Sequence, residues 1–97
     1  MTAQTLTVHE GYRIVTENGL HLPQRFSKSA QAWVYYTDMQ YGRTFNTSFK
    51  TEKGAANFLY LQWFMDSPME VKEAHVNSGQ ASDVLLKKLG LRRGQKW

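Results

Sequence analysis

Three histidines are the residues of this chain best suited to metal binding or to proton transfer. His9 adjoins a predicted turn, His21 lies in a predicted loop, and His75 falls on a short predicted helix. No two of them are four residues apart on a helix, and none has a carboxylate at the spacing of a helical zinc motif. The pattern therefore favours surface or boundary positions, and it predicts no metal site.

The nucleophiles that enzymes commonly use stand in no recognisable arrangement. The chain has no cysteine, which excludes a thiol nucleophile, a thiolate metal site and a disulfide. It contains no Gly-x-Ser-x-Gly sequence of the kind that presents a catalytic serine, and neither a Walker loop nor a Gly-x-Gly-x-x-Gly nucleotide fingerprint. We therefore expect no catalytic residue and no cofactor, and we predict that the protein is not an enzyme.

Positive charge is concentrated at the end of the chain. Residues 1–86 hold seven Lys and Arg against eight Asp and Glu, a net of −1, whereas residues 87–97 hold five cations and no acid, a net of +5. Such a segment favours an acidic partner, either nucleic acid or an acidic protein surface, and the alternative is a solvated tail that serves solubility. On the first interpretation the partner-binding residues are Lys87, Lys88, Arg92, Arg93, Lys96 and the terminal Trp97.

Strands are predicted over residues 1–50. Alternating polar and apolar residues on either side of Glu10-Gly11 indicate two short strands. Residues 20–30 contain Pro23 and are predicted to form a loop.

A half-buried antiparallel hairpin should follow this loop. The first strand is predicted over residues 32–39, which are rich in aromatic and β-branched side chains, and Gly42 suits the turn. The return strand is predicted over residues 43–50, where Phe45, Thr47 and Phe49 share the face that we expect to be buried.

Helices are predicted over residues 51–90. Thr51 can cap the first helix, which should run to about Met65 and is apolar almost all round over residues 58–65. Such a helix lies between two layers or keeps a face for a partner, and a buried strand is a further possibility because short apolar runs are ambiguous.

Two short helices should complete the fold. Ser67, Pro68 and Glu70 form the pattern of a capped helix start, with the proline in the first turn, and this helix should end near residue 77. The last helix is predicted over residues 81–89, with Ser82 or Ser78 as its cap and a left-handed Gly90 after it.

Together these elements predict an α+β fold. We expect a small antiparallel sheet of three or four strands in residues 1–50, packed by one helix, then two short helices up to residue 90 and a basic tail over residues 91–97. The length of 97 residues fits one domain, which we place over the whole chain. No secretory signal opens the chain, and the longest apolar stretch is far shorter than the ~20 residues of a membrane span, so we expect a soluble cytoplasmic protein.

Part of the chain resembles the arm-type DNA-binding domain of phage integrases. The likeness lies in Trp33-Val34-Tyr35-Tyr36, Gly42-Arg43, Phe49-Lys50-Thr51 and Ala55. It implies a three-stranded sheet that enters the major groove of DNA. The solvent face of the predicted return strand departs from that pattern, because it offers Thr44, Asn46 and Ser48 where phosphate contacts call for Arg and Lys.

The whole chain resembles the small anti-RecBCD proteins, the second of the pair, of lambdoid temperate phages. The resemblance lies in the length, the basic character and the Asp66-Ser67-Pro68-Met69 junction. It implies that the protein binds the RecC subunit of the host RecBCD helicase-nuclease, modifies or inhibits its activity in favour of phage recombination, and recruits a host peptidyl-prolyl isomerase through Pro68. Ser67 and Pro68 therefore join the partner-binding residues, although the residues alone favour the simpler explanation of Pro68 as a proline at the first helical position.

Two functions therefore remain open, and both depend on binding a macromolecule. The first is a phage-type accessory protein that acts on a host recombination enzyme. The second is a small sheet-plus-helix DNA-binding domain, with direct nucleic-acid contact through the basic tail.

Overall fold

The computed structural model of the protein describes residues 4–97. In chain order, its elements are β1 (Gln4–His9), β2 (Tyr12–Glu17), β3 (Leu20–Ser27), β4 (Ala32–Tyr35), β5 (Thr37–Gln40), β6 (Arg43–Asn46), α1 (Glu52–Asp66), α2 (Met69–Asn77) and α3 (Asp83–Leu89). The predicted α+β class is confirmed: strands β1 to β4 form an antiparallel sheet in sequence order, and β5 pairs with β6 in a separate sheet. The chain divides into two compact units, one ending at Tyr60 and the other comprising Leu61–Trp97. That the whole chain is a single domain stays a prediction.

The loop predicted over residues 20–30 is wrong for most of its length, because Leu20–Ser27 forms strand β3. This strand pairs with β2 through its first six residues and with β4 through its last four. Proline is normally excluded from such a central strand, since it has no N–H to donate. On the side of β3 that the nitrogen of Pro23 faces, His21 pairs with Phe49, and the pairing with β4 begins only at Gln24. Position 23 lies in the gap between these two pairings, so no N–H is needed there and proline is tolerated.

The predicted hairpin is present, but its strands are shorter, and only the end of the predicted return segment is covered: Thr47 is buried and Phe49 is half-buried against the core of the first unit. The strand predicted over residues 32–39 breaks at Tyr36, so that β4 and β5 belong to different sheets. All residues from Thr37 to Asn46 are exposed, including Phe45, which we expected on a buried face. Alternation in a sequence shows which side chains share a face, but it does not show whether another element covers that face.

Helix α1 forms where the sequence predicts it, so the alternative of a buried strand is wrong. The hydroxyl of Thr51 accepts a hydrogen bond from a first-turn backbone N–H at 3.1 Å, which confirms the predicted cap. Ala55 and Leu59 are fully buried and form one cluster with Ile14 of β2, so the helix packs on the four-stranded sheet as expected. No helix within residues 4–97 has the length and apolarity needed to cross a membrane.

The second unit contains the end of α1 together with α2 and α3. Its fully or nearly buried apolar side chains are Phe64, Val76, Ala81, Leu85 and Leu86. The hydroxyl of Ser82 accepts the N–H of Leu85 at 3.3 Å, so Ser82 is the cap of α3 and Ser78 is not. Gly90 follows α3 with a φ of 73°, which confirms the predicted left-handed glycine, and the N–H of Leu91 donates to the carbonyl oxygen of Leu86 at 2.9 Å and closes the helix.

Candidate partner-binding site

Ser67 and Pro68 form the corner between α1 and α2. Pro68 is exposed, and no peptide bond within residues 4–97 is cis, so the Ser67–Pro68 bond is trans. The prediction that Ser67 caps α2 is wrong, because its hydroxyl donates to the carbonyl oxygen of Trp63 at 2.7 Å and α2 begins without a side-chain cap. The last carbonyls of a helix have no partner within it, and Ser67 satisfies one of them at the end of α1.

Large apolar side chains lie exposed on both sides of this corner in the chain. Met65, Met69 and Val71 expose 52%, 57% and 42% of their surface. Methionine is adaptable in shape and is enriched at protein interfaces. The corner therefore presents an exposed proline between two exposed methionines, which is a surface that a protein partner could cover.

A groove of about 460 Å³ lies beside α2 in the second unit. Its lining residues are Trp63, Glu70, Val71, Ala74, His75, Ser78 and Gln80. Trp63 and His75 pack edge to face, with ring centroids 5.2 Å apart. Sequence reasoning missed this groove, because no local pattern shows that two helices will leave a space between them.

Arg93, predicted to bind a partner, is held by the beginning of α3. Its guanidinium donates to Oδ1 of Asp83 from Nη2 at 2.6 Å and from Nε at 3.1 Å, and Nη2 also donates to the carbonyl oxygen of Ala81 at 3.0 Å. Asp83 lies in the first turn of α3, where the helix dipole also stabilises a carboxylate. Arg93 therefore stabilises the second unit, and its charge is already paired.

The last two residues contact the end of α2. The Nζ of Lys96 donates to the carbonyl oxygen of Asn77 at 3.3 Å, and the backbone N–H of Trp97 donates to Oδ1 of Asn77 at 2.8 Å. The ring of Trp97 lies 5.7 Å from that of Phe64. These two predicted partner-binding residues thus also pack within the second unit.

The remaining predicted cations are free of such contacts. The side chains of Lys87, Lys88 and Arg92 are exposed, and they make no hydrogen bond or ion pair with residues 4–97. Both lysines lie in the last turn of α3, where positive charge also stabilises the helix dipole. Partner binding by these three side chains stays a prediction.

Sequence reasoning also missed the exposed apolar side chains of the β5–β6 ribbon. Tyr41 at the tip is completely exposed, and Met39 and Phe45 expose 74% and 49% of their surface. The alternating pattern located the ribbon but predicted that Phe45 lies on a buried face. The ribbon is thus a second surface of the protein with side chains typical of interfaces.

The histidines do not come together with acids in one place. Within residues 4–97, no group of three His, Asp or Glu side chains could hold a metal ion. His9 and His75 pack against aromatic rings, and Nδ1 of His21 lies 2.9 Å from the hydroxyl of Thr16. That the protein is not an enzyme stays a prediction.

Comparison of the chain with protein-family models, with curated proteins and with solved structures gives no match. The function must therefore be inferred from the surfaces described above and from the resemblances in the sequence. Of these surfaces, the corner at Pro68 and the exposed cations of the basic segment are the two that the sequence also predicted to bind a partner.

Proposed function

We propose that the protein is a phage-type accessory factor that binds the RecC subunit of a host RecBCD helicase-nuclease and modulates the enzyme. The observation that carries the proposal is the exposed Pro68 corner with Met65 and Met69 beside it. The junction through which the chain resembles the anti-RecBCD proteins is the segment that forms this corner. Since RecBCD acts on DNA in the host cell, the protein would work in the host cytoplasm.

The exposed apolar side chains of the corner can supply binding energy. Burial of one Met or Val side chain stabilises a complex by about 1.5–3 kcal/mol when it is complete. Met65, Met69 and Val71 together can therefore contribute several kcal/mol, from which the entropy lost on association must be subtracted.

The same corner suits a host peptidyl-prolyl isomerase. An isomerase needs an X-Pro bond that it can reach, and Pro68 is exposed between the ends of two helices. The trans form of such a bond is favoured by only about 0.5–1 kcal/mol in simple peptides, so an enzyme can bind either isomer at modest cost. The Pro68→Ala variant should therefore lose the isomerase and keep RecBCD.

Affinity capture from a host lysate tests the proposal. The tagged protein should retain RecBCD and an isomerase, and the Met69→Glu variant should retain less RecBCD because a charge replaces an apolar contact. Met39→Glu is the matched control, since Met39 is an exposed methionine of the β5–β6 ribbon. If the wild type retains neither partner, or if Met69→Glu behaves like Met39→Glu, the corner is not a binding site of this kind.

Purified RecBCD tests modulation separately from binding. At a saturating amount of the protein, the nuclease or unwinding rate of RecBCD on linear duplex should change. An unchanged rate beside clear capture would refute modulation and leave a binding protein.

Direct DNA binding is a second candidate, favoured by Lys87, Lys88 and Arg92 of the basic segment, whose exposed side chains make no hydrogen bond or ion pair with residues 4–97. Each neutralised phosphate contributes about −0.9 to the slope of log K against log salt, so three contacts give a slope near −2.7. Alanine at all three positions should flatten it, whereas alanine at Lys28, Lys50 and Lys53, an equal loss of charge in the first unit, should not. No binding of duplex at low salt would end this candidate.

A further inference from the structure

The first unit shows how this chain accommodates an arginine side chain. The guanidinium carbon of Arg13 lies 4.2 Å above the ring centre of Trp33, and its Nε donates to Oε1 of Gln24 at 2.7 Å. The planar guanidinium stacks on an indole while its N–H groups need oxygen acceptors at the edge. An indole face and a side-chain oxygen thus bind the guanidinium of an arginine that strand β2 places beside them.

The groove beside α2 offers the same kinds of group without an arginine. Trp63 forms part of its wall, Gln80 contributes an amide, and Glu70 contributes a carboxylate. A carboxylate accepts two N–H groups of a guanidinium in parallel and adds charge to the interaction. No Lys or Arg is among the lining residues, so these acceptors are not neutralised from within the groove.

The remaining walls suit the stem of an arginine. Val71 and Ala74 are apolar, and the methylene groups of an arginine pack on such surfaces while the charged end stays near water. The nearest cation along α2, Lys72, places its Nζ 5.9 Å from the ring centre of Phe64. Charge complementarity at Glu70 therefore selects a cationic side chain and disfavours an acidic one.

We propose that this groove binds an arginine side chain of a protein partner, stacked on Trp63 and paired with Glu70. The identity of the partner rests on the proposed function, but the chemistry of the groove does not. The groove volume of about 460 Å³ leaves room for backbone on either side of the arginine.

A short peptide tests the groove without the partner. The probe is acetyl-Gly-Arg-Gly-amide, and its neutral control is acetyl-Gly-Gln-Gly-amide. In an NMR titration, the arginine peptide should shift the indole N–H of Trp63 and the backbone amides of Val71 and Ala74, with a Kd on the order of 1 mM, as expected for one stacked and paired side chain. Absence of shifts at about 20 mM, or equal shifts with the neutral peptide, would overturn the proposal.

Two charge reversals on one helix provide the matched control. Glu70 and Glu73 are both exposed and lie three residues apart on α2, but Glu73 does not line the groove. Glu70→Lys should weaken binding of the arginine peptide roughly tenfold or more, and Glu73→Lys by less than about twofold, because repulsion acts mainly at contact range. Equal losses would show a general charge effect and would refute a specific site.

Capture of RecBCD with the same variants separates the two proposals. Loss of capture with Glu70→Lys and retention with Glu73→Lys would support an arginine of the partner in the groove. Peptide binding without capture by the wild type would leave the groove chemistry standing and remove the proposed function. If Glu70→Lys still captures RecBCD, the partner does not use the groove. If the NMR signals of the groove residues shift when the protein is diluted without peptide, the groove binds a second copy of the chain. Both of these results overturn the inference.

Discussion

Replacing Arg93 with alanine should destabilise the protein, whereas the same change at Arg92 should not. Both substitutions remove one positive charge from the same exposed segment. Arg93 makes two hydrogen bonds to Asp83 and one to the carbonyl oxygen of Ala81. The side chain of Arg92 makes no hydrogen bond with residues 4–97. The pair therefore separates the effect of the contacts from the effect of net charge.

The expected loss of stability depends on how exposed the contacts of Arg93 are. The side chains of Arg93 and Asp83 expose 56% and 89% of their surface, so solvent screens their ion pair, and we assign it about 0.2–1 kcal/mol. The hydrogen bond to Ala81, a buried residue, adds about 0.5–1.5 kcal/mol. Arg93→Ala should therefore lower the free energy of unfolding by about 1–2 kcal/mol, or roughly 4–8 °C in Tm for each kcal/mol.

Urea denaturation followed by circular dichroism measures this difference. Arg92→Ala should stay within about 0.5 kcal/mol of the wild type, as surface changes usually do. Salt at about 1 M should reduce the loss in Arg93→Ala, because the ion-pair part is screened there and the hydrogen bond to Ala81 is not. Equal stability of the two variants would refute the reasoning and show that the end of the chain is a free solvated arm.

Three further substitutions test the fold. Leu59→Ala should lower the free energy of unfolding by about 2–5 kcal/mol, since the side chain of Leu59 on α1 is fully buried against the sheet. A loss below about 1 kcal/mol in urea denaturation would contradict that placement. Gly90→Ala should lower the free energy of unfolding by about 1 kcal/mol, because a φ of 73° is unfavourable for alanine. An unchanged urea midpoint would argue against the left-handed conformation of Gly90 at the end of α3. Tyr41→Ser should change stability by less than about 0.5 kcal/mol, and a larger loss would show that the ribbon tip packs on the protein.

The helices were predictable because their signals are local. The hydroxyl of Thr51 or Ser82 can reach an N–H in the first turn of the helix that follows, and Gly90 takes a conformation that other residues avoid. Each of these features involves residues within a few positions of one another. The predicted Ser67 cap of α2 shows the limit of such signals. The hydroxyl of Ser67 lies between two helices, and it bonds to the end of α1 and not to the beginning of α2.

The strands were harder because their pairing partners are distant in sequence. Pro23 predicts a loop by every local rule, and it becomes acceptable only when the strand beside it leaves a gap at that position. Phe45 has the spacing of a buried residue, yet β5 and β6 pair only with each other within residues 4–97. Alternation fixes the face of a side chain and leaves open what lies against it.

The candidate site likewise has one part that local sequence patterns predicted and one part that they did not. Pro68 was recognisable from its neighbours in the chain, because a helix end, a serine and a proline mark an exposed corner. The groove beside α2 was not recognisable, since Trp63 and Gln80 line it from positions 17 residues apart. Only the packing of the second unit brings their side chains to one place.

The basic segment shows why charge counted along a sequence cannot be assigned to one task. Of its five cations, Arg93 and Lys96 bond to Asp83, Ala81 and Asn77, while Lys87, Lys88 and Arg92 have no side-chain partner within residues 4–97. Deletion of the whole segment after Leu86 would remove both groups at once, together with the last turn of α3, so a lost interaction could result from unfolding of the second unit. Substitution of the three unpaired cations leaves the stabilising contacts in place, and a lost interaction can then be attributed to charge.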